Sequence, residues 1–352
     1  MQNKGWKGNF FEDFSIGQRI QCPTPRTITA GDVSQYIAYT GDRSPLFCGP
    51  EGWIHPLLTF HSVLAQTVRL ISLNARANLG YAGMRWLQPV KVGDTLSVEI
   101  EIVGLKENSS KTTGIVYVHN VAKNQRGEEV MTFWRWAMIK KRGEDETPYL
   151  ASPVIPTLPK QLDASELQLP EATPMSTSAT GATWSFEDYE VGERIFHYDG
   201  MTINHSDHMS FTRLFQNSAK VHFDAILTDG RPLVYGGLPI SLGYAMAFNG
   251  LENRLGLCGL NGGTHANPLY AGDTIYAFTD VLDKVALEGK GVGTVRLRLV
   301  CVKNEDPTKW DDPMRAIQEE HPKKPGRMRH LPSVILDLDI WDLIPTKDTL
   351  SD

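Results

Sequence analysis

The chain is poor in cysteine. It has four in 352 residues, Cys22, Cys48, Cys258 and Cys301, none close to a second in sequence. That spacing excludes a C-x-x-C metal or redox pair and offers no disulfide framework, so buried or inert thiols are expected. Long apolar runs are missing too. No stretch approaches the roughly 20 apolar residues of a membrane span, and the polar segment Met1–Phe10 has no signal-peptide core. A cytoplasmic protein without membrane association is the expectation. Nor is there an excess of positive charge. Thirty-five Lys and Arg stand against 41 Asp and Glu, a net charge of −6. This argues against a nucleic-acid partner and leaves room only for a local basic patch that holds one anionic ligand.

What is present is an internal repeat. Phe11-Glu12-Asp13-Phe14-Ser15-Ile16-Gly17 returns as Phe186-Glu187-Asp188-Tyr189-Glu190-Val191-Gly192, at an offset of 175 (186 − 11). Pro89-Val90-Lys91-Val92-Gly93-Asp94-Thr95 returns as Pro268-Leu269-Tyr270-Ala271-Gly272-Asp273-Thr274, at an offset of 179 (268 − 89). A repeat of this length is a duplicated domain rather than a solenoid unit. The expected division is 1–140, a linker 141–183, and 184–352. The linker carries Pro148, Pro153, Pro156, Pro159, Pro170 and Pro174. Proline at that density suits an extended surface connection.

Each copy reads alike. A short strand comes first, then a helix with a cap residue and a carboxylate three later (Thr29/Asp32 and Asn204/Asp207). A loop leads into a longer apolar helix, from Leu57 to roughly Ala75 and from Gly237 to roughly Leu251. Strands of period two close each copy, among them Thr95–Val103 and Gly293–Val300. One long helix followed by antiparallel strands predicts an α+β fold, a curved sheet wrapped around a helix. His205 and His208 stand at a metal-like spacing. With no third ligand near, they read as exposed first-turn residues, and no metal is expected. Gly262-Gly263 lacks the strand–helix context of a dinucleotide fingerprint, and no cofactor is expected.

Two segments in each copy resemble the MaoC-like (R)-specific enoyl-CoA hydratases. That family carries Gly-Asp-x-Asn-Pro-Leu-His-x-Asp and then a glycine step into the long helix. Copy one has Gly41-Asp42-Arg43-Ser44-Pro45-Leu46-Phe47 and enters its helix through His55-Pro56. Copy two has Gln216-Asn217-Ser218-Ala219-Lys220-Val221-His222 and enters through Tyr235-Gly236-Gly237. The resemblance implies a tandem double hot-dog fold with the working site in the second copy. Phe211–Phe223, Leu260–His265 and Gly272–Ala277 are most similar to the branch acting on mesaconyl-C1-CoA (2-methylfumaryl-CoA) and β-methylmalyl-CoA. A CoA thioester is the implied partner, in a homo-oligomer, a dimer.

The expected catalytic residues follow from that register and from chemistry. Hydration puts negative charge on the thioester oxygen, and a backbone N–H at a helix start stabilises it. Gly236 supplies an N–H there, and proline at the matching place in copy one has none. His222 is the expected general base. Asn217 is expected to hold the water through its carbonyl, while Asp42 stays a structural turn residue. Arg213, Lys220, His265 and Gly237 are expected on the acyl group, with Arg213 the first choice for a distal carboxylate. Lys323, Lys324 and Arg327 form a basic run in an insertion that copy one lacks. It reads either as a solvated loop or as a grip on CoA phosphates. A hot-dog thioesterase, a hydratase for another acyl-CoA, and a binding-only protein are the alternatives.

Overall fold

The computed structural model describes residues 4–49, 54–143, 152–167 and 175–351. Thirteen strands lie among them: β1 Arg19–Gln21, β2 Arg26–Thr27, β3 Ala75–Trp86, β4 Thr95–Glu107, β5 Thr113–Lys123, β6 Glu129–Lys140, β7 Arg194–Thr202, β8 Gly256–His265, β9 Thr274–Leu287, β10 Val292–Lys303, β11 Gln318–Glu320, β12 Met328–His330 and β13 Val334–Pro345. The helices are α1 Ala30–Thr40, α2 Pro45–Cys48, α3 Pro56–Thr67, α4 Thr177–Thr180, α5 His205–Leu214 and α6 Gly237–Met246.

Eleven of the strands form one antiparallel sheet in the order β1-β4-β5-β6-β3-β8-β13-β10-β9-β7, with β2 on β4, and β11 pairs with β12 apart from it. The two halves of that order mirror each other, and β3 pairs with β8 where the copies meet. This is the expected α+β double hot-dog arrangement. Alternation puts Leu96, Val98, Ile100 and Ile102 of β4 inward, where α3 and α6 pack in a shared core. The helices touch through polar groups. His61 Nε2 lies 2.8 Å from Ser241 Oγ, and Tyr36 Oη donates to the same Oγ at 3.0 Å.

The described parts of the connection cover the sheet's other face. Leu162, Ala164 and Leu167 pack on Cys258 and Trp341. The Leu162 N–H donates to Asn261 Oδ1 at 2.7 Å. Residues 144–151 and 168–174, with Pro148, Pro170 and Pro174, lie outside the described residues. Between β10 and β13 the second copy inserts the β11–β12 hairpin, where the first copy turns tightly with the Asn124 N–H on Glu128 O.

Three local expectations change. The long helix of copy one ends at Thr67 and unwinds through a π-turn, Val68–Ser72, before β3 begins at Ala75, earlier than the apolar pattern suggested. His208 is fully buried while His205 is exposed, because α5 turns the stripe His208-Phe211-Thr212 to the core. Cys48 is exposed. The other three thiols are buried, and burial pushes Cys22 and Cys301 up to about 12.

Burial also holds several histidines neutral. It lowers His55, His197 and His208 to about 4 and His61 well below its ordinary value. An unfolded chain binds these protons near pH 6.5 and the folded chain does not. Stability from these groups is complete above pH 6.5 and is lost as pH falls toward 4. Calorimetry should find Tm level from pH 7 to 8 and several degrees lower by pH 5. A Tm unchanged to pH 4.5 would contradict this.

Candidate active site

A cavity of about 540 Å³ opens where the copies join. Its wall comes from both. Leu64, Val68, Ser72, Asn78, Tyr81 and Arg135 belong to the first, and Asn217, His222, Tyr235, Gly236 and His265 to the second.

His222 sits in a single 3-10 turn, Lys220–His222. Its Nδ1 lies 2.8 Å from the Leu233 carbonyl oxygen. A carbonyl only accepts, so Nδ1 carries the proton and Nε2 is left as a basic lone pair. The Leu233 N–H donates back to Val221 O at 2.9 Å, which pins the turn from both sides. Burial lowers the ring to about 4, against the upward pull of the Leu233 carbonyl and with a smaller downward push from His265. At neutral pH the imidazole is uncharged. Tyr235 packs on it, ring centroids 5.6 Å apart.

Asn217 is buried at the cavity wall. Its Oδ1 accepts the Ala219 N–H at 3.0 Å. That bond fixes the amide orientation and leaves Nδ2 without a protein partner among the described residues, so the carbonyl expected to face a water is turned into the loop. Gln216 before it has φ +57°. Gly41 stands at the same place in copy one, at φ +65°. Copy two thus holds a residue with a side chain in the left-handed region to aim Asn217.

Gly236 and Gly237 begin α6. Neither N–H meets a protein acceptor among the described residues, and Gly236, with the positive helix end, lines the cavity. The need for glycine here is steric. A Cβ on Gly236 would lie 2.4 Å from His265 Cε1, and one on Gly237 would lie 2.5 Å from Tyr235. His265 ends β8 with its Nε2 3.2 Å from Tyr81 Oη on β3. Its enclosed position lowers the ring to about 4.

In copy one every corresponding place is filled. Phe47 stands for His222. Asp42 stands for Asn217, its Oδ1 accepting the Ser44 N–H at 2.9 Å and its Oδ2 3.3 Å from His55 Nε2. His55 caps α3 by accepting the Leu57 N–H at 3.0 Å. Trp86, at the place of His265, donates to Pro56 O at 2.9 Å. At the start of α3 the Leu57 N–H is thus taken by His55 and Pro56 has none to offer.

Of the residues singled out in the sequence, His222, Asn217, Gly236 and His265 come together in the cavity wall, with Gly237 one residue inside α6. Arg213 is exposed with Ser210 Oγ at 3.3 Å, and Lys220 is exposed. Lys323, Lys324 and Arg327 are exposed at the tip of the β11–β12 hairpin. None of these five lines the cavity. Asp224 Oδ1 accepts the Ile226 and Leu227 N–H groups and shapes the loop. Tyr81, Tyr235 and Arg135 were missed. Arg135 had a signal: it is a charge on the inward face of an otherwise apolar period-two strand.

The sequence model of the mesaconyl-CoA hydratase family matches residues 2–317. A mesaconyl-CoA hydratase of Cereibacter sphaeroides is 43% identical over 351 residues, covering 96% of this chain and 98% of that protein. A β-methylmalyl-CoA dehydratase of Chloroflexus aurantiacus is 42% identical over 364 residues, covering 99% and 100%. The solved structure of a MaoC domain protein from the same organism superposes with a TM-score of 0.88 at 41% identity, covering 98% and 99%. A double hot-dog protein of Mycobacterium tuberculosis, at 24% identity and a TM-score of 0.72, shares the fold.

Two substitutions test the local geometry. Gln216→Gly should raise stability by about 1 kcal/mol, since the left-handed backbone costs a side-chain-bearing residue roughly that much. Gly236→Ala should lower Tm by several degrees, because the His265 ring and the start of α6 must part. Chemical and thermal unfolding read both, and a neutral Gly236→Ala would contradict the close approach.

Proposed function

The chain belongs to the mesaconyl-CoA hydratase family, and on that premise we propose that it is a hydro-lyase that reversibly hydrates mesaconyl-C1-CoA (2-methylfumaryl-CoA) to β-methylmalyl-CoA. The observation that carries the reading is the Nδ1–H to Leu233 bond of His222, which leaves Nε2 basic in the cavity that Gly236 also lines. The thioester oxygen takes the free N–H groups at the start of α6. His222 Nε2 removes a proton from water as the oxygen bonds Cβ. The enolate charge that forms on the thioester oxygen is held by the helix-start donors. The same imidazole then hands the proton to Cα, which adds both parts of water to one face. Asn217 orients the water through its free Nδ2. Copy one has no catalytic part of its own and serves as wall.

CoA leaves by the open side of the cavity, where Arg76 and Arg231 are exposed and the Arg231 guanidinium lies 4.3 Å from the Tyr270 ring centroid. These two take the phosphates ahead of Lys323, Lys324 and Arg327. Thioester cleavage is the weaker reading. It needs a carboxylate at the thioester carbon, and Asp229, exposed, is the one acid among the described lining residues. The same proposal includes a cytoplasmic location and a homodimer, read by cell fractionation and by light-scattering mass.

Incubation with mesaconyl-C1-CoA should consume the enoyl-thioester absorbance without release of free CoA. Release of CoA would favour the thioesterase. His222→Ala should lower turnover by roughly 10²–10⁴ in a folded protein, Asn217→Ala substantially, and Asp42→Asn little beyond stability. Because His222 is held at about 4, kcat/KM should be level from pH 6 to 8. It should fall only as the base is protonated near pH 4. An acid limb near 6.5 would contradict the neutral, buried imidazole.

A further inference from the structure

Arg135 is 1% exposed, yet it lines the cavity. It lies on the inward face of β6 between Phe133 and Ala137, both buried. Its contacts are neutral. Nη2 donates to Thr67 Oγ1 at 2.7 Å and lies 3.4 Å from Ser72 Oγ, while Nη1 lies 3.3 Å from Ser72 Oγ and 3.3 Å from Asn78 Oδ1. Its Nε has no partner, and neither has Nδ2 of Asn78 in the same wall. Among the described residues the groups that act on its charge are Tyr81, Cys22 and Tyr235, with no carboxylate among them. Burial lowers the guanidinium to about 10, which still leaves it charged at neutral pH. A buried cation without a counterion is costly, and proteins rarely keep one for structure alone.

The repeat provides an internal comparison. Arg135 pairs with Tyr81 across β6 and β3, and Ile340 pairs with Leu260 across β13 and β8. At the offset of 179 (260 − 81), Leu260 is the counterpart of Tyr81, so Ile340 is the counterpart of Arg135. The fold closes with isoleucine there. The arginine is thus not required by the architecture, and it appears only in the copy that walls the cavity. The five-residue π-turn Val68–Ser72 supports it: Thr67 precedes the widened turn that follows α3 and Ser72 ends it.

Position adds the ligand's chemistry. Gly236 touches the His265 ring, His265 pairs with Tyr81, and Tyr81 sits beside Arg135 on the neighbouring strand. A thioester oxygen at Gly236 therefore sends the acyl end toward Arg135, away from the exposed Arg76 and Arg231. We propose that Arg135 and Asn78 form the subsite that binds the free carboxylate of a dicarboxylic acyl-CoA and sets the preference for it over monocarboxylic acyl-CoAs. This rests on the hydratase reading for the identity of the acyl group. The carboxylate of mesaconyl-C1-CoA is bonded directly to Cβ, so its anchor also fixes the carbon that receives water. Arg213 and Lys220, exposed and outside the cavity, give up that assignment.

Two arms test it. Succinyl-CoA and butyryl-CoA differ by a carboxylate for a methyl and are not hydrated. Succinyl-CoA should raise wild-type Tm more than butyryl-CoA, and the difference should vanish in Arg135→Met and in Arg135→Gln, which keeps polar contact with Thr67 and Ser72. Equal shifts in the wild type, or a difference that persists in a folded variant, overturns the proposal whatever the turnover. In the second arm, the kcat/KM ratio of mesaconyl-C1-CoA to crotonyl-CoA should fall about 100-fold or more in both variants, since a site built to pair a polar group discriminates strongly against its loss. An unchanged ratio overturns the Arg135 subsite and leaves the hydratase standing. A wild type that hydrates neither substrate removes the hydratase, while the binding arm still decides the subsite.

Discussion

The pairing of β3 with β8 is the contact on which the rest depends. It makes two half-sheets one, brings α3 and α6 against each other, and turns the inward side chains of one copy toward the site of the other. A single copy would leave α6 and its helix-start donors open on one side. With the seam closed, Tyr81 reaches His265, and the cavity gains a second wall that buries the imidazole and keeps it neutral. The burial that holds His222 near 4 and lowers Arg135 to about 10 comes from the same closure.

Duplication then allows the halves to diverge. At the places that match the copy-two motif, copy one holds side chains engaged within the fold. Phe47 fills the histidine place, Asp42 is consumed by Ser44 and His55, His55 caps α3, and Trp86 bonds Pro56. Copy two keeps its donors unpaired and carries the strain of Gln216. Backbone strain beside the cavity is what a site looks like where stability is exchanged for function.

The fold was largely legible in the sequence because the repeat, the period-two strands and the two apolar helices all point the same way. His222, Asn217 and Gly236 were legible through a motif contiguous in sequence. The residues that copy one lends were not. Tyr81 and Arg135 reach the cavity only through strand register across the seam, which no local pattern encodes. Arg213 and Lys220 are close to Asn217 in sequence, but α5 and the following turn point them to solvent. His208 went astray for the converse reason: the helix start looked polar, yet its stripe with Phe211 and Thr212 faces inward. The apolar pattern of the copy-one helix runs on past its end because β3 follows the π-turn with only Leu73 and Asn74 between.

The central claim is one composite site per chain, catalytic on the side of copy two and walled by copy one. The stoichiometry of ligand binding tests it most directly. Isothermal titration of the intact chain with succinyl-CoA should give one molecule bound per chain, with binding lost when Gly236→Phe fills the cavity beside His265. Two equivalent molecules per chain, or one that still binds the Gly236→Phe protein with unchanged affinity, would contradict the account.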